Sequence, residues 1–142
     1  MRSSLLAAAA ALTCLSSSAF AVQDTPATIN GVETVCTGVG SAKDDPRWAA
    51  YPIKIVLATS GGAFLANAHV SLSKGGKDVA GLDCDAPWIL FKAPAGSYTA
   101  TATLTGSGLS HSANVTSGSS QKEVTITFPI PSGPPSTPSV GQ

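Results

Sequence analysis

A regular alternation of apolar and polar residues predicts β-strands over residues 51–128. The clearest case is residues 51–57, where Tyr51 and Ile53 begin a row of apolar side chains on one face and Lys54 lies on the other. Such alternation is typical of a strand with one buried face and one face in water. The same pattern recurs at residues 66–72, 98–104, 109–115 and 124–128.

A different pattern marks residues 88–91, which read Trp-Ile-Leu-Phe without a polar residue among them. We expect this segment to be a strand that is buried on both faces. Turn residues separate all of these segments, and Gly75-Gly76 is typical of a tight hairpin. About seven strands with a turn roughly every 8–14 residues predict an all-β fold, a seven-stranded antiparallel or mixed β-sandwich.

The first 21 residues predict a Sec-type signal peptide. Arg2 precedes an apolar run at residues 5–15, and Ala19-Phe20-Ala21 is a small-x-small cleavage site, so we expect cleavage after Ala21. The run is shorter than the roughly 20 residues that a membrane-spanning helix needs. Lipidation at Cys14 is the alternative, although Thr13 is a poor residue before a lipidated cysteine. Either way, we expect a periplasmic or secreted protein without a membrane span.

Removal of the signal peptide leaves two cysteines, Cys36 and Cys84. An even pair in an exported chain predicts a disulfide. Such a bond would stabilise the fold by about 4 kcal/mol in the chain-entropy model. A zinc site is the alternative, but two thiolates without a neighbouring histidine are too few ligands.

Two flanking segments lack the alternating pattern. Residues 22–50 predict an N-terminal leader and loop, with an edge strand at 29–35 and a short helical turn that Asp44 or Asp45 caps ahead of Pro46. Residues 129–142 are rich in Pro and Ser and predict a disordered or polyproline-like tail. The domain itself is then residues 51–128, with the loop around Cys36 tied to it.

The overall charge argues against a polyanionic partner. The 142 residues contain 8 Lys and Arg against 8 Asp and Glu, so the formal net charge is zero, and the basic residues are scattered singly. Proteins that bind nucleic acid usually carry clustered Lys and Arg. We therefore expect no nucleic-acid partner.

The segment around Trp88 and residues 93–102 resembles transthyretin-like domains, and in particular the carboxypeptidase regulatory-like domains of small exported bacterial proteins. Those domains carry a Pro-x-Gly-x-Tyr turn between two core strands, which Pro94, Gly96 and Tyr98 match here. The resemblance implies a transthyretin-like Greek-key sandwich in which this turn is structural. It implies no enzymatic activity. The hydroxyisourate hydrolases share that fold, but their C-terminal Tyr-Arg-Gly-Ser motif is absent here, which argues against that activity.

Catalytic and metal-binding patterns are weak. Ser110 precedes His111, but adjacent strand residues point to opposite faces, and a nucleophile elbow needs a strand-turn-helix context. We expect His111 to be partly buried and His69 to face solvent. Four carboxylates, which could approach one another if the cysteines are bonded, suggest either a weak calcium site or solvated loops. They are Asp44, Asp45, Asp83 and Asp85.

The two tryptophans give the best candidate for a recognition surface. Trp48 and Trp88, with Arg47 and Asp85 nearby in sequence, could stack on a sugar or a peptide. The alternative, which a small sandwich with few aromatic residues favours, is that both tryptophans cover the disulfide as part of the core.

Together these patterns predict a non-enzymatic exported β-sandwich module with a binding or structural role. Its ligand would be a protein or a glycan, and no cofactor or metal is expected. The alternatives are a carbohydrate- or peptide-binding module that uses Trp48 and Trp88, and a small hydrolase. The hydrolase requires His69 or His111 to meet a Ser or Asp in a cleft.

Overall fold

The computed structural model of the chain describes residues 22–130 as two packed β-sheets. The expected signal peptide and most of the expected tail lie outside the described residues. The nine strands are β1 (Ala27–Ile29), β2 (Val32–Thr37), β3 (Ile53–Thr59), β4 (Ala68–Lys74), β5 (Lys77–Cys84), β6 (Trp88–Lys92), β7 (Gly96–Leu104), β8 (Ser110–Ser117) and β9 (Lys122–Phe128).

The strands form a five-stranded sheet in the order β1-β2-β6-β3-β9 and a four-stranded sheet in the order β5-β4-β7-β8. The four-stranded sheet is antiparallel throughout. The five-stranded sheet is mixed, because β3 and β9 run parallel. The prediction of an all-β sandwich is confirmed, with nine strands where about seven were expected.

The main core lies between the sheets and follows the alternation read from the sequence. Ile53 and Ile55 of β3 and Val70 and Leu72 of β4 belong to this core, and all four are fully buried. Strand β6 lies between β2 and β3, with Ile89 and Phe91 in the main core and Leu90 in a second cluster on the outer side. The expectation that this strand is buried on both faces is therefore confirmed.

A disulfide joins the two sheets. Cys36 lies on β2 of the five-stranded sheet and Cys84 ends β5 of the four-stranded sheet, with their Cα atoms 5.6 Å apart. Both cysteines are buried in the main core. The predicted pairing is confirmed, and it fastens the first long strand to the opposite sheet.

The segment expected to be a leader and loop contributes strands to the sandwich. β2 lies between β1 and β6 rather than at an edge, and five of its six side chains are buried. Two short 3-10 helices follow, Gly40–Asp44 and Pro46–Ala50. As predicted, Asp45 caps the second one, accepting a hydrogen bond from the Arg47 amide. Across residues 22–130, no helix is long and apolar enough to cross a membrane.

The expected placement of Tyr51 is wrong. The sequence pattern put Tyr51 on the same face as Ile53, but β3 begins only at Ile53. Tyr51 instead ends the second 3-10 helix, and its amide donates to the Trp48 carbonyl. Its ring therefore packs in the outer cluster and not between the sheets.

The Pro-x-Gly-x-Tyr turn lies at the start of β7. Gly96 has a φ of +153°, which favours glycine. The Tyr98 side chain is buried, and its hydroxyl donates a 2.7 Å hydrogen bond to the Pro94 carbonyl. These contacts close the turn between β6 and β7.

Candidate functional site: the two outer faces of the sandwich

The outer side of the five-stranded sheet, which we call the aromatic face, carries the second apolar cluster. The cluster consists of Val35, Trp48, Tyr51 and Leu90, all buried. Trp48 is only 4% exposed; its indole Nε1 donates a 2.7 Å hydrogen bond to the Ala42 carbonyl. Its ring meets the Tyr51 ring edge-on at 6.0 Å. The segment carrying the 3-10 helices thus covers this part of the face, and the Trp48 ring is not free to stack on a ligand.

Trp88 is half-buried and held by groups from the two neighbouring strands. From β3, the Lys54 ammonium lies 3.5 Å from the ring centroid. From the end of β2, Gly38 approaches so closely that a Cβ atom there would lie 2.6 Å from the Trp88 Cγ atom. The chain's own groups therefore occupy much of the surface that a ligand would need.

The alternative that both tryptophans are core residues covering the disulfide is right about the burial of Trp48 and wrong about its position. Val35 and Cys36 are adjacent on β2, so their side chains point to opposite sides of the sheet. Trp48 packs with Val35 in the outer cluster, whereas Cys36 lies in the main core. Trp48 and the disulfide are thus on opposite sides of the five-stranded sheet.

The four residues predicted as one binding surface do not form one site. The Arg47 guanidinium lies 4.9 Å from the Trp48 ring and pairs with Asp45 at 2.8 Å. Trp48 and Trp88 border a shared hollow of about 200 Å³. Asp85 lines a different hollow, of about 300 Å³, beside Asp83.

The hollow between the tryptophans has mixed charge. Its lining includes Lys43 and Lys54 as well as Asp44 and Asp45. The Gln121 side chain, also in the lining, donates to the Trp48 carbonyl at 2.8 Å. The two lysines and the two aspartates of this lining leave it with no net charge. The hollow has the size for a small group but no single sign of charge to select one.

The remaining charges of the aromatic face are also paired. The Lys92 ammonium lies 3.1 Å from Glu33, and the Tyr51 hydroxyl donates to the same carboxylate at 3.0 Å. These two hydrogen bonds, the one from Lys92 first, lower the pKa of Glu33 below its ordinary value. Burial, and then the bond to Glu33, raise the pKa of Tyr51. Lys54 pairs with Glu123 at 3.2 Å.

The outer side of the four-stranded sheet has a different chemistry, and we call it the hydroxyl face. Nine outward positions on β4, β7 and β8 carry short, uncharged polar side chains in register across the sheet, and His69 takes a further outward position at one end. The nine are Ser71, Ser73, Thr99, Thr101, Thr103, Ser110, Ser112, Asn114 and Thr116. The outward residues of β8 are exposed and those of β7 are half-buried.

Hydrogen bonds join these side chains between β7 and β8. Thr101 and Ser112 are 2.7 Å apart, and Thr103 donates to Ser110 at 3.1 Å. Thr99 donates to Asn114 at 3.3 Å. Each bonded pair forms a rung between β7 and β8, and the three rungs follow one another along the two strands.

Sequence reasoning noted these outward positions but did not recognise them as a surface. The available signal was Thr99, Thr101 and Thr103 at every second position, with Ser and Asn at matching positions on the next strand. Recognising it required the register of β7 against β8, which places Thr101 opposite Ser112.

The histidines lie where the pattern predicted. His69 is exposed at one end of the hydroxyl face, with its Nδ1 atom 2.8 Å from Asp83. His111 points inward, edge-on to Phe128 with ring centroids 5.0 Å apart. Ser110 points outward and bonds Thr103, so Ser110 and His111 face opposite sides.

The His69–Asp83 contact meets one condition for a hydrolase. In the part of the chain that the structure describes, however, the His69 ring forms a hydrogen bond only to Asp83. No serine is bonded to its second nitrogen. The hollow beside Asp83 is lined by Asn67, Asp85 and Thr105, and the sulfur of Cys84 next to it is in the disulfide. An activated nucleophile is not assembled there.

The suggested convergence of four carboxylates does not occur. Asp83 and Asp85 border one hollow, while Asp44 and Asp45 border the hollow between the tryptophans. Within residues 22–130, no three side chains of His, Cys, Asp or Glu are grouped as metal ligands would be.

Comparison with models of known protein families finds no match to this chain, and comparison with curated proteins finds no relative. The resemblance to transthyretin-like domains therefore stays an expectation drawn from Pro94, Gly96 and Tyr98.

Proposed function

We propose that this protein is an exported, non-enzymatic β-sandwich module that binds a ligand through the hydroxyl face. The observation that carries the proposal is the contrast between the two outer faces. The chain's own loop, with Trp48 at its centre, packs over the aromatic face. Among residues 22–130, no comparable segment packs over the hydroxyl face, whose β8 side chains are exposed.

Export is supported by the signal-peptide pattern at residues 1–21 and by the disulfide between Cys36 and Cys84. Disulfides persist in oxidising compartments, the periplasm or the cell exterior. The proposal includes membership of the transthyretin-like domains, because the turn at Pro94, Gly96 and Tyr98 has the contacts such a structural corner needs.

The proposal that the module is not an enzyme follows from the geometry around its histidines. His111 is turned towards the core, and His69 stands on an open sheet face with a carboxylate partner only. A small hydrolase is the second candidate, favoured solely by the His69–Asp83 contact. Binding through Trp48 and Trp88 is less favoured, because Trp48 is buried and Lys54 lies over Trp88.

Two measurements on the mature chain test the proposal. The first is retention on a panel of immobilised probes, namely neutral polysaccharides, anionic polysaccharides, a peptide library and lipid vesicles. Thr101→Lys puts a charge in the middle of the hydroxyl face, and Thr125→Lys puts the same charge on the outer side of β9, where Thr125 is exposed. We expect retention by at least one probe, its loss with Thr101→Lys, and its persistence with Thr125→Lys.

The second measurement is hydrolysis of chromogenic esters, phosphates and glycosides. We expect no turnover by the wild-type chain. Turnover that disappears in His69→Ala would establish the hydrolase instead. Retention that is unchanged in Thr101→Lys would show that the binding site lies outside the hydroxyl face, and would refute the proposal.

A further inference from the structure

We infer that the ligand of the hydroxyl face is a neutral polysaccharide, bound as an extended chain across the hydroxyl rungs of β7 and β8. The inference rests on the proposed function, since it names the class of ligand for that same face.

The absence of charge from the rungs points to a neutral ligand. The nine outward residues that define the face are all Ser, Thr or Asn. Ionisable groups on this sheet side lie at its ends: His69 is bonded to Asp83 at one end, and Asp78 lies opposite Ser73 at the other. A charged ligand would lose hydration on such a face without gaining an opposite charge.

The hydrogen bonds within the rungs prepare the face for a partner rich in hydroxyl groups. A hydroxyl has one donor and two acceptor lone pairs. The bond between Thr101 and Ser112 uses one donor and one lone pair. It therefore leaves a donor and several acceptors facing solvent, with the side-chain orientations already restricted. Sugar hydroxyls, which also donate and accept, can bond to both kinds of group.

Other macromolecules fit this face less well. Protein interfaces are centred on buried aromatic and Arg residues, and the rungs contain neither. Nucleic acids and anionic membranes are held by Lys and Arg, which are absent from the rungs as well. A second copy of the same face would bury hydroxyl groups with no apolar centre between them.

The shape of the sheet favours a flexible chain over a rigid lattice of hydroxyls such as ice. Neighbouring strands lie ~4.8 Å apart, and residues on one face of a strand recur every ~6.8 Å. Each strand is also twisted about its own axis, so successive rungs along β7 and β8 are rotated relative to one another. A polysaccharide can follow that rotation from one rung to the next, whereas a flat lattice cannot match all three rungs at once.

The test compares matched removals of hydroxyl groups from the two sides of the sandwich. The double variant Thr101→Val with Ser112→Ala removes the central rung and adds no charge. Thr125→Val makes the same change on the outer side of β9. The wild type and both variants are measured as mature chains on cellulose, xylan and amylose, and on alginate and heparin, with thermal unfolding to confirm that each is folded.

We expect the wild type to bind at least one neutral polysaccharide, and to keep that binding at high salt because no charges are involved. Loss of two or more hydrogen bonds should weaken binding at least about tenfold in the double variant. Thr125→Val should bind as the wild type does. If the double variant does not fold, Thr103→Val with Ser110→Ala removes the neighbouring rung and is measured in its place.

Three results would overturn the inference. They are no binding to any neutral polysaccharide, neutral-polysaccharide binding that the double variant retains, and equal weakening by Thr125→Val. Retention by a peptide or an anionic probe that Thr101→Lys abolishes would refute the neutral ligand and leave the proposed function intact. The two failures are thereby distinguishable.

Discussion

The Lys54 ammonium lies 3.5 Å from the centroid of the Trp88 ring and 3.2 Å from the Glu123 carboxylate. Trp88 is the aromatic residue that sequence reasoning assigned to ligand stacking. The Lys54 ammonium, which is paired with Glu123, instead occupies the position over the ring where a ligand would stack. Together with the loop that packs over the aromatic face, this contact favours a binding surface on the other sheet.

Replacement of Lys54 should uncover Trp88. In Lys54→Gln, loss of the cation should increase quenching of tryptophan fluorescence by acrylamide, because Trp48 is only 4% exposed and Trp88 supplies the accessible signal. The free energy of unfolding should fall by about 0.5–1 kcal/mol. Lys122→Gln, at an exposed lysine on β9, is the control and should change neither. Unaltered quenching in Lys54→Gln would mean that the cation does not cover the ring.

The close approach of Gly38 to Trp88 gives a second prediction, with a control in the same loop. Gly38 and Gly40 both have positive φ, +108° and +65°. A Cβ at Gly38 would lie 2.6 Å from Trp88, whereas a Cβ at Gly40 meets nothing within 4 Å. Gly40→Ala should therefore show only the backbone cost of about 1–2 kcal/mol. Gly38→Ala should lose about 1–3 kcal/mol more, because its Cβ clashes with Trp88 and because a φ of +108° lies outside the left-handed region that alanine can adopt.

Urea unfolding of both variants measures that difference. A shift of the Trp88 emission should accompany Gly38→Ala alone. Equal losses in the two variants would show that the Trp88 ring moves aside freely and is not held by the loop.

Removal of the disulfide should weaken the whole sandwich, because the bond joins β2 of one sheet to β5 of the other. We expect Cys36→Ala with Cys84→Ala to lower the free energy of unfolding by about 2–4 kcal/mol. Wild-type protein under reducing conditions should lose a similar amount, and the variant should not respond to the reductant. A reductant-insensitive wild type would contradict this role for the bond.

Alternation along the chain was enough to predict the sandwich and its main core. Ile53 and Ile55 are buried as their spacing requires, and the cysteine count predicted the disulfide, although not that it joins the two sheets. What the sequence did not reveal is which segments pack on the outside of a sheet. Tyr51 continues the period of β3 in sequence, yet it ends a 3-10 helix and packs outward.

The candidate site depends on contacts that are distant in sequence. The pairing of Thr101 with Ser112 follows from strand register, and the contact of Lys54 with Trp88 follows from the adjacency of β3 and β6. Neither is encoded by local spacing. The aromatic residues were therefore the conspicuous candidates, and the uncharged rungs were not.

Acidic pH should lower the free energy of unfolding through protonation of Glu33. Bonds from Lys92 and Tyr51 hold the pKa of the Glu33 carboxylate below its ordinary value in the folded protein. A lowered folded-state pKa contributes stability that is present above the unfolded value of about 4.3. That stability is lost as the pH falls through the folded-state pKa.

Glu33→Gln removes this dependence. The variant should be less stable than the wild type at neutral pH, by at most about 1 kcal/mol because the pair is partly exposed. The difference should shrink as the pH drops below about 4. Tyr51→Phe, which leaves Lys92 in place, should reduce the pH dependence only in part. A difference in the free energy of unfolding between Glu33→Gln and the wild type that stays constant from neutral pH to below about pH 4 would disprove the linkage.

The central claim, that ligand binds the uncharged hydroxyl face and not the tryptophans, is tested most directly by a nuclear magnetic resonance titration. Backbone and indole N–H signals of the mature chain are followed as a soluble xylan or cellulose oligosaccharide is added. The account predicts shifts at Thr99, Thr101 and Ser112, with the indole signals of Trp48 and Trp88 unmoved. Shifts concentrated at Trp88, with the β7 and β8 signals unchanged, would contradict it.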